Sequence, residues 1–217
     1  MVDDIKINYR NKIDGIRLLR SLDDATVSAA FFDPQYRGIL DKLAYGNEGK
    51  NRAQTRCALP QMGTDTIRTF IVEISRVLKP SGHLFLWVDK YHLCEGVSEW
   101  LIDTDLKIVD MVVWVKPNIG MGFRTRRKSE YIIVIQKKPI RAKGVWQIHN
   151  IPDVWNEKVE KIHPHSKPVE LQKALINAVT NEGDLVLDPA SGGYSVMLAC
   201  KQSNRNFVGG DIVYGDN

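Results

Sequence analysis

The first residues that could carry chemistry are the tetrapeptide Asp33-Pro34-Gln35-Tyr36, which follows a short apolar segment. The Asp33 carboxylate can accept a hydrogen bond from an amino group, and Pro34 offers a carbonyl but has no amide hydrogen of its own. The Tyr36 ring can stack on a base. These residue types indicate a site that orients a planar ligand with an amine, and the structural alternative is an ordinary Asp-Pro turn.

A second candidate is the glycine-containing segment 183–193, which stands directly before a predicted helix. Its adjacent glycines let the backbone approach a ligand closely, and the first turn of a helix has free amide hydrogens. Asp211 ends the next predicted strand, where a carboxylate can accept hydrogen bonds from ribose hydroxyls. This spacing favours a nucleoside-bearing cofactor over a simple turn between a strand and a helix.

Apolar strands and amphipathic helices must position these residues. We predict strands at 27–32, 83–88, 106–115, 130–136, 185–187 and 207–208, and helices at 65–78, 91–101, 168–179 and 195–202. Such alternation is typical of a mostly parallel sheet with helices on both faces, which binds ligands beyond the carboxyl ends of its strands. Asp33 and Asp188 both follow predicted strands, so we expect them at that edge.

Length and composition restrict the class of protein. The 217 residues are 43% hydrophobic, which excludes a disordered chain and a small disulfide scaffold, and we expect one domain over 1–217. The chain has no apolar run of the roughly 20 residues that a membrane span needs, and its N-terminus lacks the pattern of a signal peptide. We therefore expect a cytoplasmic protein with no membrane partner. The three cysteines form no CxxC pair, and His163 and His165 lack ligand-spaced partners, so no metal is expected.

The net charge of +4 is unevenly distributed. Segment 121–143 has eight basic residues and one acid, and segment 37–56 has five basic residues and two acids. Such concentration is expected of a protein that neutralises phosphates locally, and the alternative is a solvated surface. The candidate phosphate contacts are Arg52, Arg56, Arg124, Arg126, Arg127 and Lys128.

Five segments resemble, in one order along nearly the whole chain, the class β DNA amino-methyltransferases that modify adenine N6 or cytosine N4. Residues 33–36 resemble the DPPY catalytic motif of that family, and residues 187–195 resemble its DPFxGxGT cofactor loop. Residues 163–168 resemble the motif that cradles the methionine end of S-adenosylmethionine (SAM). Residues 206–211 resemble the strand with the ribose-binding acid, and residues 14–19 resemble a stretch near the cofactor adenine.

The resemblance implies a single Rossmann-like, SAM-dependent methyltransferase domain of the α/β class. Its sheet would be mostly parallel and doubly wound, with a circularly permuted motif order. The catalytic half would cover about 1–138, a short recognition or linker segment about 139–162, and the cofactor half about 163–217. The implied partner is double-stranded DNA, and the implied cellular setting is restriction–modification.

The family mechanism needs the target base outside the stack, because the amine cannot reach the methyl group from within a duplex. By resemblance, Tyr36 stacks on this base while Asp33 and the Pro34 carbonyl accept the two amine hydrogens. Asp33 in place of serine favours adenine N6, with cytosine N4 as the alternative. The expected catalytic residues are Asp33, Pro34, Gln35 and Tyr36. The expected cofactor contacts are Asp14, Lys167, Pro168, Asp188, Ala190, Ser191, Gly192, Gly193, Tyr194, Ser195 and Asp211.

Three residues depart from the family pattern. Gln35 replaces the second proline of the catalytic motif and adds an amide hydrogen, and Ala190 stands where phenylalanine is usual. Tyr194 stands where the second glycine is usual, and we hypothesise that its ring replaces the missing aromatic contact. Together these departures motivate a further alternative, a SAM-binding pseudoenzyme that binds DNA as a regulator.

The recognition segment is short and predicts loose or very short sequence preference. The roughly two dozen residues of 139–162 leave little room for reading bases in the major groove, unless the loop 37–63 or a second subunit contributes. Methylation of random-sequence DNA should therefore be spread over many sites. A single site of five or more base pairs that takes nearly all the label would contradict this prediction.

Overall fold

The structure is a computed structural model that describes residues 5–35, 62–120, 125–159 and 167–216. Four predicted site residues, Tyr36, Arg52, Arg56 and Arg124, lie outside these ranges, as do residues 163–166 of the motif 163–168.

Within the described residues the chain forms seven strands and five α-helices. The strands are β1 Val27–Phe32, β2 Leu78–Val88, β3 Leu106–Gly120, β4 Arg127–Lys137, β5 Val154–Asn156, β6 Leu185–Asp188 and β7 Asn206–Gly209. The helices are α1 Gly15–Ser21, α2 Thr64–Val77, α3 Lys90–Glu95, α4 Val169–Val179 and α5 Ser195–Gln202, with a 3₁₀ turn at Ser98–Leu101.

All seven strands belong to one sheet in the order β5-β3-β4-β2-β1-β6-β7. Strand β4 is antiparallel to β2 and β3, and the other neighbouring pairs are parallel. Strands β6 and β7, from the end of the chain, lie beside β1, from its beginning. This confirms the predicted mostly parallel sheet of a single α/β domain with permuted order.

Helices cover both faces of the sheet. Every residue of β1 is buried, which is the pattern of a parallel strand between two helical layers. Its alternate side chains enter two cores: Phe32 packs with α1 and α2, while Phe31 packs with α4 and α5. The cores meet at the sheet, so β1 is fixed from both sides and the residues that follow it have a defined position.

The structure departs from the prediction in short elements. The predicted helix 91–101 is divided into α3 and the 3₁₀ turn, because Gly96 between them has a φ of +89°. Helix α1 has seven residues and β5 has three, and both were missing from the prediction. Elements this short show little periodicity and depend on tertiary packing. No described helix is long and apolar enough to cross a membrane.

Candidate functional site

A cavity of about 390 Å³ opens where the strands β1, β6 and β7 end. Its walls include Asp33 after β1, Asp188 at the end of β6 and Asp211 just beyond β7. Neighbouring strands lie about 4.8 Å apart, so these carboxylates are spread over roughly 10 Å of the sheet edge. The structure therefore brings together the acids that the strand pattern placed at this edge.

Most of the predicted site residues line this cavity. From the predicted catalytic segment these are Asp33 and Gln35, and from the predicted cofactor set they are Asp14, Lys167, Asp188, Ala190, Ser191, Gly192, Gly193, Ser195 and Asp211. Pro34, Pro168 and Tyr194 are not among the lining residues. The lining also contains residues that were absent from the predicted site, including Phe31, Phe70, Trp87 and Gln172.

The glycine loop between β6 and α5 is held by hydrogen bonds to the next strand. Gly192 has a φ of +46° and donates its amide hydrogen to Asp211 Oδ2 over 3.1 Å. The other oxygen of Asp211 accepts from the amides of Val213 and Tyr214, at 2.7 and 2.8 Å. Asp211 thus fixes the loop, and its Oδ2, with one hydrogen bond, retains a second lone pair for a ligand.

Tyr194 lies in the core instead of the cavity. It precedes α5 in the left-handed conformation, with a φ of 58°, and the residue is 4% exposed. Its hydroxyl donates to the Asn11 carbonyl over 3.1 Å, and its ring meets Phe207 edge-on. The hypothesis that this ring replaces the missing aromatic contact is corrected accordingly, because the backbone turn sends it inward. Phe31, Phe70 and Trp87 supply the aromatic walls instead.

At the β1 end of the cavity, Lys167 bridges two carboxylates. Its Nζ lies 2.9 Å from Asp33 Oδ2 and 2.9 Å from Glu130 Oε2, and 4.4 Å from the centre of the Trp87 ring. Glu130 also bonds to Lys116. Charges therefore alternate along Lys116, Glu130, Lys167 and Asp33, which we call the charge chain. The predicted cofactor residue Lys167 is thus bonded to the predicted catalytic carboxylate.

The two central groups of the charge chain, Glu130 and Lys167, are both ionised. Burial alone would raise the pKa of Glu130, but the charges of Lys167 and Lys116 outweigh it and lower this pKa to about 2. Burial opposes the charge on Lys167 as well, yet Asp33 and Glu130 hold its pKa above the ordinary lysine value. Glu130 was not predicted as a site residue, although it is the one acid of the basic segment 121–143.

The cavity has a surplus of acidic groups. Its described lining contains four carboxylates, Asp14, Asp33, Asp188 and Asp211, and one cation, Lys167. Burial raises the pKa of Asp188 to about 7, and the charges of Asp33 and Asp211 add to this effect. A cationic ligand would relieve that repulsion, so the cavity is suited to a molecule with positive charge.

The basic residues beside the site lie on the β3–β4 hairpin. Arg126 and Lys128 are exposed and Arg127, half-buried, begins β4 opposite Gly120. Lys90 Nζ donates to Thr125 Oγ1 over 2.7 Å, which ties this part of the hairpin to α3. That these residues contact phosphates stays a prediction.

The sequence and the fold match DNA methyltransferases. Residues 29–213 match the N6/N4 methyltransferase family model, described as DNA methylase. The type II methyltransferase M.HhaII of Haemophilus parahaemolyticus is 61% identical over 213 residues, which are 97% of this chain and 93% of that protein. M2.MboI of Moraxella bovis is 28% identical over 89% of this chain and 79% of its own length.

Solved structures of low sequence identity share the fold. The M1.HpyAVI–SAM complex has a TM-score of 0.66 and 19% identity, covering 94% of this chain and 92% of that one. The cytosine-N4-specific PvuII DNA methyltransferase has a TM-score of 0.72 and 15% identity, covering 96% and 85%.

Asp188→Asn is expected to flatten the dependence of stability on pH. Because the folded pKa of about 7 exceeds the ordinary value of 3.8, the folded state binds this proton more tightly than the unfolded state. The resulting stabilisation is fully present below pH 3.8 and is lost as pH rises through 7. The wild-type free energy of unfolding should therefore fall between pH 5 and pH 8 by on the order of 2 kcal/mol more than that of the variant.

Urea denaturation without ligand at these two pH values measures this effect. Asp184→Asn is the matched control near the start of the same strand, because hydrogen bonds from Asn181, Ser28 and Lys79 outweigh burial and lower the pKa of Asp184. The control should lose stability at both pH values. Equal pH slopes for wild type and Asp188→Asn would contradict the prediction.

Proposed function

This chain belongs to the N6/N4 family of DNA methylases, and from that premise we propose that it methylates the N6 amine of adenine in double-stranded DNA. The observation that carries the proposal is the Asp33 carboxylate, which opens on the cavity while Lys167 holds its Oδ2 at 2.9 Å. A relative of 61% identity is named a type II methyltransferase, and we place this chain likewise in restriction–modification.

The cofactor is SAM, which supplies an electrophilic methyl group on a sulfonium. The cavity fits this cation, because its described lining has four carboxylates and one lysine. Asp211 and Asp14 would bind the nucleoside end, and the backbone of the loop 190–193 would approach the cofactor closely. Asp14 already accepts from the amides of Ile16 and Arg17 as the N-cap of α1, which fixes its direction.

Asp33 orients the target amine. Since Lys167 occupies Oδ2, Oδ1 is the oxygen that accepts one amine hydrogen, and the Pro34 carbonyl accepts the other. The nitrogen lone pair would then be directed at the methyl group of bound SAM, which leaves as S-adenosylhomocysteine, and the carboxylate would stabilise the positive charge that develops on nitrogen. Correct orientation of two reactants is worth several orders of magnitude in rate, so a fixed carboxylate is the central requirement.

Gln35 contributes to this fixation through its backbone. Its carbonyl accepts a hydrogen bond from the amide of Met62 over 2.7 Å. This bond connects the catalytic segment to the residues just before α2. Both residues line the cavity. We infer that glutamine in place of the usual proline is compatible with an ordered catalytic segment, which supports an active enzyme over the pseudoenzyme.

Cytosine N4 is the second candidate for the methylated atom. A cytosine-N4-specific enzyme has the same fold with a TM-score of 0.72, so the overall fold is compatible with either base. The preference for adenine rests on aspartate, and not serine, as the first residue of the catalytic segment. The exposed side chains Arg126 and Lys128 of the β3–β4 hairpin would hold the duplex through its phosphates.

We expect wild-type protein with SAM and unmethylated duplex DNA to produce N6-methyladenine, measured by mass spectrometry of the nucleosides. Asp33→Ala should lower the rate by about 100-fold or more, because it removes the acceptor of the amine hydrogen. Asp110→Ala is the matched control, since Asp110 is exposed on β3, and it should leave the rate unchanged.

The other products decide between the candidates. N4-methylcytosine as the main product would overturn the choice of adenine and keep the role of Asp33. Absence of any methylated base, with SAM binding intact by calorimetry, would overturn the proposal in favour of a DNA-binding regulator.

A further inference from the structure

The predicted recognition or linker segment 139–162 begins at the edge of the sheet that lies away from the cavity. At this edge Ser81 Oγ, near the start of β2, donates to the Pro139 carbonyl over 2.6 Å. Gln147 donates its amide hydrogen to the carbonyl of Ala178, near the end of α4, over 2.7 Å. The cavity end of β2 is roughly 20 Å from Ser81, at about 3.3 Å per residue. The first part of the segment is therefore not placed to read bases beside the cavity.

The rest of this segment mostly packs against the protein. Its larger apolar side chains contact the core beside α4 and α5, and these are Trp146, Ile148, Ile151, Trp155 and Val159. Glu157 accepts hydrogen bonds from the amides of Glu170 and Leu171, at 3.1 and 2.9 Å, and so caps the start of α4. These contacts give the segment a structural role, and base recognition is expected on another element.

The outer part of the β3–β4 hairpin lies at the cavity edge. Strand β2 ends at Val88, which pairs with Tyr131, whereas β4 begins four residues earlier, at Arg127. At about 3.3 Å per residue, the hairpin extends roughly 13 Å past the end of β2. Lys116 of this outer part belongs to the charge chain that ends at Asp33. The hairpin therefore stands beside the catalytic carboxylate.

Strand β3 has a bulge in this outer part. The register shifts between Val115 and Gly120, where four residues of β3 lie opposite one residue of β4. We call residues 116–119 the bulge. Asn118 and Ile119 are exposed, and Ile119, at 61%, is the most exposed large hydrophobic residue in the described part of the chain. Bulges beside active sites commonly redirect side chains, and this one presents an amide and an apolar group to solvent.

Duplex DNA fits the chemistry of this surface. The exposed residues Arg126 and Lys128 give the same end of the hairpin a positive charge. The major groove admits a two-stranded ribbon and is about 8.5 Å deep, which is less than the hairpin extends. An asparagine amide can donate to adenine N7 while it accepts from adenine N6, whereas guanine offers two acceptors. An isoleucine can pack on the methyl group of thymine, so the two residue types match A·T base pairs.

We propose that the bulge enters the major groove beside the flipped base, where Asn118 binds the edge of an adenine and Ile119 packs on a thymine methyl group. This inference rests on the proposed function, because it assigns the base-reading residues of the same enzyme. The basic residues of the hairpin hold the duplex through its phosphates, and the bulge supplies the sequence preference. Two such residues read one or two base pairs, which agrees with a very short preference.

Methylation of a random-sequence duplex pool, with the methylated bases located by sequencing, measures this preference. Wild type should favour an A·T pair at one fixed position near the methylated base. Asn118→Ala should reduce that preference by at least roughly fivefold, as expected when a bidentate contact to a base is lost. Preferences that the bulge does not determine should stay as in wild type.

Asn150→Ala is the matched control, because Asn150 is also exposed but belongs to the segment 139–162. This variant should keep the wild-type preference, and its loss there would overturn the proposal. An Asn118→Ala variant that retains the preference would overturn it too, as would a wild type without any preference for A·T near the methylated base.

Uracil in place of thymine tests Ile119, because it removes only the methyl group. In a duplex with the preferred sequence, this change should slow wild type by roughly threefold and leave Ile119→Ala unaffected. Equal slowing of both proteins would overturn the contact of Ile119. Calorimetry with S-adenosylhomocysteine should give the same affinity for every variant and reports an intact fold. Absence of any methylated base with wild type would be a different result, directed against the proposed function.

Discussion

The ion pairs of Lys167 join the parts of the molecule on which the site depends. One ammonium contacts Asp33 after β1 and Glu130 of β4, and it stands immediately before the Pro168 cap of α4. Buried charges are costly unless they are paired and further hydrogen-bonded. The charges from Lys116 to Asp33 alternate and sum to zero, which meets this condition. The Lys116 ammonium also lies over the Trp114 ring, and that of Lys167 over the Trp87 ring.

The charge chain also relates the site to the surface. Lys116 and Glu130 lie on the paired strands β3 and β4, towards the part of the hairpin where Arg127 meets Gly120. The exposed basic residues that we propose for phosphate contact belong to this same hairpin. One antiparallel ribbon thus carries both the basic residues that we propose for DNA contact and the carboxylate that holds Lys167. In that proposal, the positions of the duplex and of Asp33 depend on the same two strands.

The sequence predicted the parts of the site that follow simple patterns. Apolar strands predicted where Asp33, Asp188 and Asp211 would lie, and helical periodicity predicted α2 and α4 within a few residues. Other features depend on tertiary contacts. Glu130 is a single acid in a basic segment until β4 places it beside Lys167, and Gln172 is one polar residue on a buried helix face. The inward direction of the Tyr194 side chain depends on a left-handed backbone conformation, which an aromatic residue type does not predict.

The measurement that tests this account most directly is a comparison of turnover with cofactor affinity in Lys167→Met and Glu130→Gln. If Lys167 positions Asp33, Lys167→Met should lower kcat by about 100-fold or more while the Kd for S-adenosylhomocysteine changes less than about threefold. Glu130→Gln should lower kcat less, because Lys167 keeps its bond to Asp33. A loss of cofactor affinity with kcat retained at saturation would contradict the account and make Lys167 a cofactor ligand.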